Sequence, residues 1–378
     1  MRLNSTRPRA LRLPAWLLAV LCGALVSLSF ARSAAAYPQY VFKGLGDCNA
    51  CHHSPTGGGL LNHWGRASLD PTWGGSLEGV WGHSDLSSPP SALAVDLGAD
   101  VRLLALAGSD SDGTIGPIVV PMLTELGGAA AWQHWTAYGA VTARGIGTTY
   151  LVASREHWLE YSFDGSLQLR AGRMVLPFGI RQPDHTQYVR TDFAFDKWDQ
   201  SYGLELDWRG ADWSLFANGF VGDLSGRPSD RQERGGVATL LRNLGGDSSV
   251  GLSLLGATST AVSRVAASAQ ARLSFGAGTY ALAELSAQRR DAKSGDDGLT
   301  NLASYLRLGW FARRDLDVYA EGGQRAFVHD GEFAKLRAGL GVNWQVFGFL
   351  EFAPQVLVES RADLPTRILA LGQLHLIY

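Results

Sequence analysis

The feature that most limits how this 378-residue chain can fold is a period-2 alternation of apolar and polar residues, repeated from about Leu93 to the last residue. Val95, Leu97, Ala99, Val101 and Leu103 alternate with Asp96, Gly98, Asp100 and Arg102. At the far end Ile368, Ala370, Gly372, Leu374, Leu376 and Tyr378 alternate with Leu369, Leu371, Gln373, His375 and Ile377. Successive side chains of a strand point to opposite faces, so each stretch has one apolar and one mixed face. Similar segments recur at 134–145, 150–163, 166–178, 201–210, 213–222, 265–276, 280–290, 302–313, 316–327, 333–347 and 350–360, with weaker boundaries at 115–130 and 235–260. Strands of about ten residues with this pattern predict an all-β chain, a transmembrane antiparallel β-barrel. A soluble sandwich has shorter strands and more polar outward faces. No long apolar run follows Tyr37, so helical spans are not expected.

Length sets the barrel's size. The 287 residues from Ala92 onward, at roughly 16–20 residues per strand and its share of connection, give about 14 to 18 strands, and even parity favours about 16. The charges Arg102, Arg144, Arg170, Glu205, Asp207, Asp317, Glu321, Arg337 and Glu351 fall opposite the apolar stripes, where a membrane barrel has its polar lumen. Trp135, Trp158, Trp208, Trp213, Trp310 and Trp344 sit near expected strand ends, as interfacial aromatics do. Short turns such as 209–212 contrast with longer polar connections at 180–200, 223–235, 291–300 and 328–332, which are expected to face outside. The terminal aromatic, Tyr378, is also found on the last strand of bacterial outer-membrane barrels.

The N-terminus reads as an export signal. Residues 1–36 carry Arg2, Arg7, Arg9 and Arg12, an apolar run from Leu17 to Leu28, and Ala34-Ala35-Ala36, which resembles a cleavage site ahead of Tyr37. The five arginines of this segment face no acids. Removing them leaves 28 basic against 35 acidic residues, a formal −7, which argues against a nucleic-acid partner and slightly favours cations. Cys22 leaves with the signal, so Cys48 and Cys51 are the only cysteines of the mature chain.

Those two cysteines belong to Cys48-Asn49-Ala50-Cys51-His52, a C-x-x-C-H sequence. Two thiols at this spacing suit addition to the two vinyl groups of a porphyrin, with the adjacent imidazole as an axial iron ligand. A disulfide or a redox dithiol would use the same pair. Export, the lack of any competing cysteine and the absence of a surrounding βαβ pattern favour one covalent c-type haem. The segment 37–91 is rich in Gly, Pro and Ser and too short for an independent cytochrome domain, so the barrel lumen is the expected wall of the haem, with the segment plugging it. In the turn 53–59 backbone could approach the ring, Leu60 and Leu61 could pack on it, and Arg66 could pair with a propionate, although ordinary linker packing accounts for each equally well. The ligand opposite His52 stays open. His63 and His83 are nearby, and Met122, Met174, His134 or His157 could reach inward from the barrel.

The run Cys48-x-x-Cys51-His52, Pro55, then Leu61-Asn62-x-Trp64-Gly65-Arg66 resembles that of bacterial fused monohaem cytochrome–porins. Gly57-Gly58-Gly59 and Trp64 depart from the iron-oxidase subgroup, where Phe is usual at the aromatic position. The stretch from Arg170 to Arg181 also resembles phosphate-porin relatives. The resemblance implies three parts: a signal peptide (1–36), a monohaem segment (37–91) and a barrel (92–378). It further implies haem attachment at Cys48 and Cys51, iron ligation by His52 and an outer-membrane setting in contact with lipid, while His63 is the first of the candidates read from the sequence for the ligand opposite. The expected activity is electron transfer between periplasmic cytochromes or similar carriers and an extracellular metal ion or other redox partner, Fe(II) first. The alternative is a porin-like solute channel with a haem-bearing plug or sensor. No Ser/His pair with an orienting partner supports a hydrolase.

Overall fold

An open sheet edge in a membrane would leave backbone groups without partners, so strands like these must close on themselves. In the computed structural model they form one closed barrel of sixteen antiparallel strands, each paired with the next. They are β1 (Ala94–Asp110), β2 (Gly113–Trp132), β3 (Trp135–Ile146), β4 (Thr149–Ser162), β5 (Leu167–Val175), β6 (Gln200–Arg209), β7 (Trp213–Gly222) and β8 (Arg234–Asn243). The second half comprises β9 (Ser249–Thr258), β10 (Val262–Gly276), β11 (Thr279–Ala292), β12 (Leu299–Arg313), β13 (Leu316–Phe327), β14 (Lys335–Phe347), β15 (Leu350–Arg361) and β16 (Arg367–Ile377). The barrel closes between β1 and β16, with Val101 opposite Leu376 and Arg102 opposite His375. The structure describes residues 52–54, 60–62, 65 and 92–377, except 111–112, 147–148, 182–186, 194, 196–198, 223–231, 246–247, 295–297, 314, 328–334, 348 and 362–364.

The alternation sorts the side chains as expected. On β1, Val95 and Leu97 are 59% and 67% exposed, whereas Asp100 and Arg102 are 3% and 6% exposed. Leu254, Val265, Leu285, Leu340 and Val356 continue the apolar exterior. Arg170, Glu205, Asp207, Asp317, Glu321 and Arg337 are buried on the inside, and Glu351 is half-buried there. The side chain of Arg144, like Tyr378, lies outside the described residues. Among the described residues no helix is long and apolar enough to cross a membrane, and the crossing is made by strands.

Inward charges are held in networks. Arg307 Nη2 lies 2.7 Å from Asp317, and Tyr280 accepts from Arg307 Nε at 2.9 Å while donating to Asp317 at 3.0 Å. Tyr280 lies over Gly309, its cross-strand partner on β12, where a Cβ would fall 2.2 Å from the ring. Only glycine permits that approach.

Two expectations are corrected. Trp135, Trp208, Trp213, Trp310 and Trp344 are exposed near short turns, but Trp158 is buried and faces the lumen. The cause is a β-bulge: Ala140 pairs with Glu156 and Val141 with Ser154, so Arg155 is an extra residue that reverses the phase of β4 beyond it. Trp158 stacks on Tyr138 with ring centres 5.0 Å apart, and the Arg170 guanidinium lies 5.0 Å from its ring. Second, the connection from β5 to β6 does not face outside but turns into the barrel. Its Phe178, Ile180, Val189, Phe193 and Phe195 pack on Phe220, Val237, Leu255 and Leu282 of the inner wall. Each such side chain is worth roughly 1.5–3 kcal/mol when taken out of water, which outweighs the polar residues between them. A one-turn helix, α1 (Tyr188–Thr191), lies in this connection.

Candidate functional site

The described residues around the C-x-x-C-H motif form the ends of a small hairpin inside the barrel. His52 and Leu61 make an antiparallel bridge, and the His53 N–H donates to the Leu60 carbonyl at 3.1 Å. The hairpin lies against the wall made by β1 to β5. His53 Nε2 is 2.8 Å from Asp96 Oδ2 of β1. Ser54 Oγ donates to Glu156 of β4 at 3.1 Å. Leu60 joins an apolar cluster with Ala129, Tyr138, Ala140, Trp158 and Met174. It rests on Gly127, where an added Cβ would come within 3.2 Å of the Leu60 Cβ.

The wall beneath is a buried charge network. Arg155 Nε is 2.6 Å from Glu125 and its Nη2 is 3.4 Å from Glu156. Thr142 donates to Glu125 at 2.8 Å. The bulge that turned Trp158 inward also turns Glu156 inward, so one irregularity supplies both the aromatic surface and the acceptor for Ser54.

Adjacent residue pairs of a hairpin face opposite sides. With His53 and Leu60 on the wall, His52 and Leu61 project from the other face, and both are buried. A buried imidazole beside a buried leucine suits an axial ligand of a porphyrin. The site residues Cys48, Cys51, His63 and Arg66, and also His83, lie outside the described residues. Leu60 packs on the wall through the cluster it shares with Tyr138 and Met174, and Met174 is fully buried there. His134 and His157 do not reach inward. His134 sits exposed in the β2–β3 turn, its Nδ1 2.9 Å from the Ser162 carbonyl oxygen. His157, between the inward Glu156 and Trp158, faces out and meets Tyr202 at 3.0 Å and Ser154 at 2.8 Å. Among the described residues no group of three or more His, Cys, Asp or Glu side chains is placed to hold a metal ion.

Asp96 and Glu156 escaped the sequence reading as anchors. Asp96 was visible as an inward residue, whereas Glu156 was hidden by the bulge. Asn62 was legible only through the motif, and its Oδ1 accepts the Gly65 N–H at 2.8 Å.

No protein-family model and no curated protein matches this sequence. Solved structures do match. The anion-selective porin of Comamonas acidovorans aligns with a TM-score of 0.62 and 11% identity, over 76% of this chain and 100% of that one. The fold is porin-like. OmpT, an outer membrane protein of Vibrio cholerae, aligns with a TM-score of 0.57 and 10% identity over 76% and 99% of the two chains. The outer membrane channel DcaP of Acinetobacter baumannii aligns at 0.55 and 12% over 76% and 99%.

Proposed function

We propose that this chain is a porin-like barrel of the bacterial outer membrane whose lumen holds a haem-bearing plug. The observation that carries this reading is the docking of residues 52–54 and 60–61 on the inner wall through Asp96, Glu156 and the cluster around Leu60. The apolar exterior, the polar lumen and the porin-like fold support passage of small polar solutes around the plug. The short turns belong on the periplasmic side and the longer connections at the extracellular end, from which the one between β5 and β6 turns into the lumen. Export and cleavage after residue 36 fit that location.

A second reading, one-electron transfer, is favoured by the place of His52. It lies on a hairpin fixed to Asp96, two residues from the start of β1 and so near the periplasmic mouth. A bound haem supplies one-electron chemistry. Cys48 and Cys51 would hold it by thioethers and His52 through its imidazole. Leu61 and the wall would exclude water. One haem does not span a hydrocarbon core about 30 Å thick, so a periplasmic carrier must dock at this mouth and an extracellular donor such as Fe(II) must reach the other.

One preparation separates the readings. Protein made in a strain with working haem-maturation machinery is reconstituted in liposomes for solute flux, and its oxidised form is mixed with Fe(II) in a stopped-flow spectrometer. Flux without reduction supports the channel, and rapid reduction lost in His52→Ala supports electron transfer. Neither flux nor reduction by Fe(II) or a periplasmic cytochrome rejects both.

A further inference from the structure

The lipid-facing wall carries a polar cluster that neither a channel nor a haem would use. Ser154 and His157 of β4 are three residues apart, a spacing that sends side chains to opposite faces of a regular strand, so the pair does not stand out in the sequence. The extra residue Arg155 changes this. With Ser154 paired to Val141 and His157 to Gly139, both side chains point outward. Ser154 Oγ lies 2.8 Å from His157 Nδ1. His157 Nε2 lies 3.0 Å from the Tyr202 hydroxyl of β6, and the two rings meet edge to face with centres 5.3 Å apart. Arg173 of β5, directly opposite both His157 and Tyr202, donates from Nη1 to the Ser154 carbonyl at 2.8 Å.

The cluster sits at the long-connection end of this side of the barrel. Strand β5 ends at Val175, two residues beyond Arg173, and β6 begins at Gln200, two residues before Tyr202. Strand β7 ends at Gly222, the cross-strand partner of Tyr202. Towards the short turns the same outer face carries Leu159, Leu204 and Leu206, all exposed. A lipid against this wall would lay its acyl chains on those leucines and bring its ester groups to the height of Ser154. Polar and ionisable side chains facing lipid are costly, and they mark places where such groups act.

We propose that Ser154, His157 and Tyr202 form a hydrolytic site for a fatty-acyl ester of a membrane lipid. With its proton on Nε2, the imidazole donates to the Tyr202 oxygen and leaves Nδ1 to accept from Ser154. The other acceptor near the Ser154 hydroxyl, the Ala140 carbonyl, is further away at 3.3 Å. Ser154 Oγ attacks the acyl carbonyl carbon and its proton passes to Nδ1. The bond from that carbon to the glycerol oxygen then breaks, and the leaving oxygen takes the proton from Nδ1. Water, deprotonated by the same nitrogen, attacks the acyl-serine and releases the fatty acid, which restores Ser154. Ser154 and His157 are the catalytic residues. Tyr202 is a positioning residue that holds the tautomer and orientation of the imidazole. Arg173 places positive charge beside Ser154, near the carbonyl oxygen on which negative charge develops. The lipid surroundings of the site follow from the porin-like reading, whereas its chemistry needs neither haem nor an open lumen.

The test uses the folded full-length protein in mixed micelles of detergent and phosphatidylcholine, with released fatty acid as the readout. Steady release is expected from the wild type, with a fall of at least about a hundredfold in Ser154→Ala and in His157→Ala. Tyr202→Phe should lower kcat about tenfold with KM unchanged, a split that a general loss of structure does not give. A serine-directed fluorophosphonate should label the wild type and not Ser154→Ala. A heat-dependent gel shift shows that each variant is folded. Folded wild type that releases no fatty acid, or equal release by Ser154→Ala, overturns the site. Absence of solute flux or of haem staining would count against those readings alone, and flux without hydrolysis against this site alone.

Discussion

His53 Nε2 lies 2.8 Å from Asp96 Oδ2, and this contact ties the residue beside the expected axial histidine to the first strand of the barrel. The anchor is redundant, since Ser54 meets Glu156 at 3.1 Å and Leu60 is buried in the wall. A part-buried hydrogen bond contributes about 1 kcal/mol net, roughly a fivefold change in an opening equilibrium. Asp96→Ala should therefore speed hydrogen exchange at the described hairpin amides, residues 52–54 and 60–62, by about fivefold, and Asp96→Ala with Ser54→Ala by more, while exchange in β8 to β12 stays unchanged. Identical exchange in wild type and the double variant would show that the plug is held elsewhere.

The inserted connection hangs on Glu284. Its carboxylate accepts the Ile180 N–H at 2.7 Å, the Ser286 hydroxyl at 2.8 Å and the Ser268 hydroxyl at 3.0 Å. Gly179 approaches so closely that a Cβ would fall 2.2 Å from Glu284 Oε1, and its φ of +63° is one that glycine adopts freely. Glu284→Ala strands these donors, at about 1–3 kcal/mol for a buried unpaired group. The expected outcome is a lower temperature for the heat-dependent gel shift and larger solute flux. Unchanged flux in a clearly destabilised variant would mean that this connection does not limit the lumen.

Breaking a buried ion pair from one side is more severe. Arg307 is paired with Asp317 at 2.7 Å and lies 3.4 Å over the Tyr319 ring. Asp317→Ala leaves the guanidinium without its counter-charge, a loss of about 3–5 kcal/mol. Urea unfolding in detergent should show the midpoint falling well below that of the wild type.

A turn outside the spanning strands gives a pH prediction. Asp164, between β4 and β5, accepts from the Ser166 hydroxyl at 2.7 Å, the Ser166 N–H at 2.7 Å and the Leu167 N–H at 2.8 Å. The Ser166 hydroxyl, then these amides, hold its carboxyl below the ordinary value. A depressed folded value means that the stabilisation is complete above the unfolded value, near pH 4, and is lost as pH falls through the lowered one. Amide exchange at Ser166 and Leu167, corrected for its intrinsic pH dependence, should rise only under such acid conditions. In Asp164→Asn that added acid sensitivity should disappear.

How much of this was legible in the sequence follows from what each signal depends on. The strands and their inward charges were readable because burial on one face forces a period of two, and chain length bounded their number around the sixteen observed. The bulge at Arg155 was not, because one extra residue leaves both flanking stretches alternating. Trp158 and Glu156 were therefore placed on the wrong face or missed. The inserted connection misled through its polar residues, although Phe178, Phe193 and Phe195 were an apolar signal against an exposed loop. The cysteines of the motif lie outside the described residues, and its neighbours His53 and Ser54 acquired roles only once the wall was in place.

The remaining prediction concerns the haem. If Cys48 and Cys51 hold a haem as proposed, a haem-stained band should survive boiling in denaturant and vanish in Cys51→Ala. The geometry adds a finer expectation. Met174 lies in the wall cluster with Leu60, on the side of the hairpin opposite His52. Because adjacent pairs face opposite ways, a haem held by His52 would lie on the lumen side of the hairpin, away from Met174. Met174→Leu conserves volume and should leave the absorption spectrum of the oxidised and reduced protein unchanged, whereas His52→Ala should alter it with the band still stained. A Met174→Leu spectrum matching that of His52→Ala would place the wall, not the lumen, on the iron's far side. An unstained wild-type band would remove the haem from the account and leave the porin-like barrel standing alone.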